Sequence, residues 1–123
     1  MTHIANRIFC AAGGLLGACG IAAYAAAAHI TQGHYSTLAP ILLGNGTVLV
    51  ALGLAKKQCM VIWIAGFLIT FGAVLFSTDL ICAQTMQFHL FRYAAPLGGI
   101  TIILGWLVFT MTAFLPNPAK YNQ

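Results

Sequence analysis

Four long apolar runs separated by short polar breaks set the pattern of this chain. The first, Ile8 to Ala28, has 21 residues without a formal charge and only Tyr24 to interrupt it. At about 1.5 Å of rise per residue it is long enough for a hydrocarbon core of roughly 30 Å. Ser36 to Ala55, Cys59 to Cys82 and Ala94 to Leu115 are three more runs of spanning length. The link His29 to His34 is short and contains Gly33, and Lys56-Lys57-Gln58 reads as a tight turn. Links this short return each helix beside its predecessor. The pattern therefore predicts an all-α, integral membrane, antiparallel four-helix bundle occupying residues 1–123 as one domain. Pro40 and Pro96 fall near helix starts, where a missing N–H costs little. Pro116 and Pro118 stop the fourth helix, and a polar tail follows.

Composition turns that pattern into a statement about solvent. Hydrophobic residues make up 61% of the chain and charged residues 5%. A water-soluble domain carries about a quarter charged residues, so this chain lacks the material for a water-facing surface. Arg7, the apolar run and Ala26-x-Ala28 also resemble a secretory signal peptide. The length of the run favours a first spanning helix instead.

Charge then gives orientation. Arg7, Lys56, Lys57 and Lys120 lie on one side of the predicted topology and Arg92 alone on the other. By the positive-inside rule both termini face the cytoplasm, or the matrix of a mitochondrion. The net charge of +4 is scattered, with no basic stripe, so nucleic acid is not an expected partner. The cysteines, Cys10, Cys19, Cys59 and Cys82, all sit inside apolar runs without a CxxC pair and read as free thiols.

Small and polar residues inside the runs mark expected contacts. The first helix is dense in Gly and Ala, and Gly13 and Gly17 form a GxxxG step that admits close helix approach. Gly98 and Gly99 open the fourth run in the same manner. Asn45, about halfway along the second run, needs a partner and should make an interhelical hydrogen bond. Ser77 and Thr78 can return hydrogen bonds to their own helix.

The candidate chemistry lies in Leu75 to Gly99, which holds the sole carboxylate side chain, Asp79. The topology places His29, His34, Asp79, His89 and Arg92 on the non-cytoplasmic side. An acid near hydrocarbon normally pairs or faces water, and a salt bridge to Arg92, stapling the third helix to the fourth, is the expected role. Proton or cation handling is the functional rival. The His residues have no HxxxH or HxH spacing to fix a metal, and His29 and His34 sit at helix ends rather than mid-bundle, where haem would need them. No cofactor is expected. A P-loop, dinucleotide fingerprint, HExxH and nucleophile–base arrangement are all absent, so the chain does not read as an enzyme.

The segments GGLLGACGIAAYAAAAH (Gly13 to His29), LAPILL (Leu38 to Leu43), FGAVLFS (Phe71 to Ser77) and APLGGITIILGWL (Ala95 to Leu107) occur in that order over most of the chain. Together they resemble the small four-helix transmembrane family that includes transmembrane protein 256. Its most specific element is the Pro-Leu-Gly-Gly opening of the fourth helix with Gly105-Trp106. The resemblance implies a membrane protein without established biochemical activity, bacterial members being inner-membrane proteins and animal members mitochondrial. Two departures stand out. The segment after His29 is shorter than the family's, with Ser36 about where a second His belongs. Asp79 lies where small or apolar residues are commoner.

Two function classes are therefore expected. One is a non-catalytic accessory or assembly subunit of a larger membrane complex, plausibly respiratory, in a bacterial inner membrane. The other is a small transporter, channel or ligand-binding protein using the outer-side His and Asp79 cluster. The lipid bilayer is the certain partner; a homo-oligomer is open.

Overall fold

The computed structural model describes residues 2–30, 33–56 and 59–116. Within them the chain forms four α-helices and a terminal 3-10 turn, with no strand. The helices are α1 (Thr2–His29), α2 (Tyr35–Leu54), α3 (Met60–Thr85) and α4 (Ala94–Thr110), and the turn is Met111–Phe114. All four helical segments are long and apolar enough to cross a membrane. In hydrocarbon every backbone N–H and C=O must be satisfied within the protein, and a helix does this locally. Side-chain hydroxyls follow the same rule. Thr47, Thr70, Thr78, Thr85, Thr101 and Thr110 each donate to the carbonyl four residues back, as does Ser77.

Helix ends depart from the limits of the apolar runs. The first helix starts at Thr2 rather than Ile8, because polar residues outside the hydrocarbon continue a helix without cost. The third ends at Thr85 rather than Cys82, which sets Asp79 six residues from its end. No breaker intervenes until Gln87, whose φ of 57° is left-handed. Pro40 lies inside α2 rather than in its first turn, since α2 opens at Tyr35. The Lys57-Gln58 part of the middle turn, and the tail with Pro118 and Lys120, lie outside the described residues.

The helices associate as two close pairs, α1 with α2 and α3 with α4, joined mainly where α2 meets α3. Glycines bring the backbones together. A Cβ on Gly13 would lie 2.6 Å from the Gly46 oxygen and 2.7 Å from the Val50 nitrogen. One on Gly20 would lie 2.8 Å from the Leu43 nitrogen, and one on Gly53 2.8 Å from the Cys10 nitrogen. In the second pair, a Cβ on Gly72 would meet the Gly98 oxygen at 2.7 Å and the Ile102 nitrogen at 2.8 Å. One on Gly105 would meet the Ile69 nitrogen at 3.0 Å. Of the glycines singled out from the sequence, Gly13 and Gly98 stand in these contacts. Gly17 and Gly99 do not use the space of their missing side chains: a Cβ on Gly17 has nothing within 4 Å, and one on Gly99 only a Phe76 ring carbon at 4.0 Å.

A core of Phe9, Leu42, Leu49 and Ile69, each fully buried, fills the centre. Phe9 also meets Phe67 edge to face, with ring centroids 5.5 Å apart. Across this core, the Trp106 indole donates to Asn45 Oδ1 at 3.0 Å, while Asn45 Nδ2 donates to the Ile41 carbonyl at 2.8 Å. The amide thus ties α2 to α4. Trp106→Phe strands an acceptor that is 6% exposed. In a double-mutant cycle with Asn45→Leu the coupling should be about 0.6 to 1.7 kcal/mol, the range for interhelical bonds in membranes. A coupling indistinguishable from zero would mean the bond does not hold the pairs together.

Candidate functional site

Asp79 occupies the last two turns of α3, 1% exposed. Its length of helix carries it below the connection 86–93, and the connection folds back over it. The Leu90 amide donates to Oδ1 at 2.8 Å. His89 Nδ1 donates to Oδ2 at 2.9 Å, with 62% of the His89 side chain exposed. The Ala95 amide, in the first turn of α4, lies near the same carboxylate and interacts with it electrostatically. A helix start has unpaired N–H groups and a partial positive charge, and Tyr93 at its N-cap makes no side-chain cap. Asp79 therefore places a carboxylate from α3 beside the start of α4 while holding the connection that leads into it.

This geometry corrects the expected salt bridge. Arg92 is not the partner of Asp79; its guanidinium carbon lies 5.6 Å from the Tyr93 ring centroid, a cation–π arrangement. The reason is local. His89 and Leu90 reach the carboxylate as the chain turns back toward α4, whereas Arg92 sits beyond that turn with its long side chain exposed.

His29 ends α1 and His34 is the N-cap of α2, both exposed. The His34 backbone N–H donates to Gln84 Oε1 at 2.9 Å, so α3 also holds the connection between α1 and α2. Gly33, with φ +143°, makes the bend there. Of the five expected residues, then, the structure brings together Asp79 and His89, with His34 tied to α3 by its backbone. Among the described residues no three of His, Cys, Asp and Glu gather as metal ligands would. Sequence reasoning missed Gln84 and the Leu90 amide. A lone glutamine at a helix end carries no pattern, and a backbone donor has no sequence signal at all.

The exposed side chains of the connection are mostly large and apolar: Met86, Phe88, Leu90, Phe91 and Tyr93. A second feature on the same half of the molecule is an apolar cleft of about 300 Å³, lined by Cys19, Ala22, Ala23 and Ala26 of α1, Tyr35, Leu38 and Leu42 of α2, and Ile81 of α3. The four cysteines are free.

Comparison with known proteins agrees with this picture of a small helical membrane protein. A family described as a protein of unknown function, DUF423, matches residues 16–99. A UPF0382 membrane protein of Staphylococcus saprophyticus is 26% identical over 109 residues, covering 89% of this chain and 90% of the relative. One from Staphylococcus epidermidis is 27% identical over 106 residues, covering 86% of each. A further UPF0382 membrane protein, from another strain of that species, is 34% identical over 68 residues, 55% of each chain. No solved structure matches. The expectation of a small membrane family with no established activity holds, and the chain belongs to the DUF423 family of membrane proteins.

Proposed function

We propose that this protein is a non-catalytic accessory or assembly subunit of a larger membrane complex, presenting the connection 86–93 to its partner. The observation that carries this reading is the commitment of Asp79. The sole carboxylate side chain is buried, and both of its oxygens hold the connection rather than face a substrate. What it holds outward is a run of exposed aromatic and aliphatic side chains flanking His89 and Arg92. A pinned loop with an apolar, cationic surface suits recognition better than turnover.

The transporter alternative needs polar groups along a path. Here the mid-helix amide Asn45 is occupied by Trp106 and Ile41, and the cleft beside α1 is lined by apolar residues and one tyrosine. The arrangement proposed is an antiparallel bundle in a bacterial inner membrane with both termini in the cytoplasm. Falling residue numbers along α2 opposite rising numbers along α1 support the first part. The bias of four bases to one supports the second.

Affinity purification in mild detergent, followed by mass spectrometry, tests this. The expected result is stoichiometric recovery of a larger membrane complex, lost in Phe88→Ser/Phe91→Ser while the thermal midpoint of the protein is retained. A cysteine at Met86 should react with an impermeant maleimide from the periplasmic side. Recovery of this chain alone would refute the subunit reading, and labelling at Met86 from the cytoplasm would refute the orientation.

A further inference from the structure

The two helix pairs are built on one register. The contacts that join α1 to α2 recur between α3 and α4 at a constant step along each helix of the pair. The step from 13 to 72 takes Gly13 to Gly72, and it also takes Gly17 to Phe76 and Cys10 to Ile69. The step from 46 to 98 takes Gly46 to Gly98, Val50 to Ile102 and Gly53 to Gly105. Gly13 faces the Gly46 oxygen and Val50 nitrogen; Gly72 faces the Gly98 oxygen and Ile102 nitrogen. Gly46 abuts the Gly17 nitrogen, and Gly98 the Phe76 nitrogen. Gly53 abuts the Cys10 nitrogen, and Gly105 the Ile69 nitrogen. The same steps take Gly20 to Asp79 and Leu43 to Ala95, so even the Asp79–Ala95 meeting has its counterpart.

A repeat of this kind makes the faces comparable. On α2, Asn45, Leu49 and Leu52 lie beside the α1-facing stripe and are buried, and Asn45 accepts there from Trp106 of the second pair. Their counterparts on α4 are Leu97, Thr101 and Leu104, with both leucines about half exposed. On α3, Ala73, Ser77 and Leu80 lie beside the α4-facing stripe and are buried. Their counterparts on α1 are Gly14, Ala18 and Ile21, all exposed. The junction between the pairs is thus used once within the chain, and each of its two halves is left open at one end. On the open half of α1, Gly14 and Ala18 are small, which suits a second helix backbone better than lipid.

We propose that a second copy of this chain continues the α2–α3 junction, seating its α1 face (Gly14, Ala18, Ile21) on the α4 face (Leu97, Thr101, Leu104) of the first. Such a contact joins two different faces and is head-to-tail rather than two-fold symmetric. It uses neither side of the connection 86–93, so it stands independently of the subunit reading above.

The test is photo-cross-linking in native membranes, with benzoylphenylalanine at Leu104, an exposed position, and isotopically distinguishable copies. Adducts should form between copies and map to α1 near Gly14 to Ile21. Gly14→Leu should reduce them at least tenfold without moving the thermal midpoint, since a Cβ there has nothing within 4 Å. Gly44→Leu, equally unobstructed but on α2, should leave them intact. Adducts to lipid or other proteins alone, adducts to α4 of the other copy, or adducts undiminished by Gly14→Leu would each overturn the proposal.

Discussion

Gly46→Ala is expected to lower the thermal midpoint of the detergent-solubilised protein clearly, whereas Gly17→Ala leaves it unchanged or raises it. The added methyl at Gly46 would lie 2.7 Å from the Gly17 nitrogen and 2.8 Å from the Gly13 oxygen. Both obstacles are backbone, so no rotamer change relieves them, and α1 must move off α2. Overpacking of this kind costs about 1–3 kcal/mol, and separation of the helices along their length would add to it. At Gly17 the methyl would enter open space, and alanine is favoured over glycine in a helix by about 1 kcal/mol. The two glycines face each other across one contact, yet the effects should have opposite signs. Equal midpoints for the two variants would show that the close approach of α1 and α2 does not carry the stability assigned to it.

Asp79→Ala should free the connection 86–93. The Leu90 amide and the His89 ring would lose their shared acceptor, and the first turn of α4 the carboxylate beside it. Loss of a buried hydrogen-bond partner costs about 1–3 kcal/mol, more where a charge is involved. Hydrogen exchange over residues 86–95 should accelerate before the rest of α3 and α4 responds, and the thermal midpoint should fall. Arg92→Ala is the contrasting variant. Its guanidinium rests over Tyr93, so both readouts should stay near those of the unmodified protein. If Arg92→Ala matched Asp79→Ala in both, the ion pair expected from the sequence would be the true clamp.

The place of Asp79 has a steric explanation as well. In the first pair the corresponding residue is Gly20, because α2 runs on past Leu43 and a Cβ would collide with that amide. In the second pair α4 begins at Ala94, so the corresponding Ala95 amide is a helix-start donor without an intrahelical partner, free to face an acid. An acid fits in one pair where only hydrogen fits in the other.

Much of this protein was legible before any coordinates. Helix number, approximate extent and membrane residence follow from hydropathy, which is local: an apolar stretch in lipid must satisfy its own backbone, and a helix is the way a single segment can do so. The hydroxyls of Ser77 and Thr78 returned to their own helix for the same local reason. The helix ends were less legible, since charge marks the hydrocarbon boundary and not the point where φ and ψ change, which came at Gln87.

Contacts between segments were the part that only the tertiary structure decided. The sequence of α1 suggests a GxxxG step at Gly13 and Gly17, but which glycine needs its missing side chain depends on the register of α2, and that register selected Gly13 and Gly20. Likewise, opposite charge suggested Arg92 for Asp79, while the path of the chain delivered His89 and a backbone amide instead. Pairing depends on where atoms of distant segments meet in three dimensions, and neither charge sign nor residue spacing within one helix encodes that position.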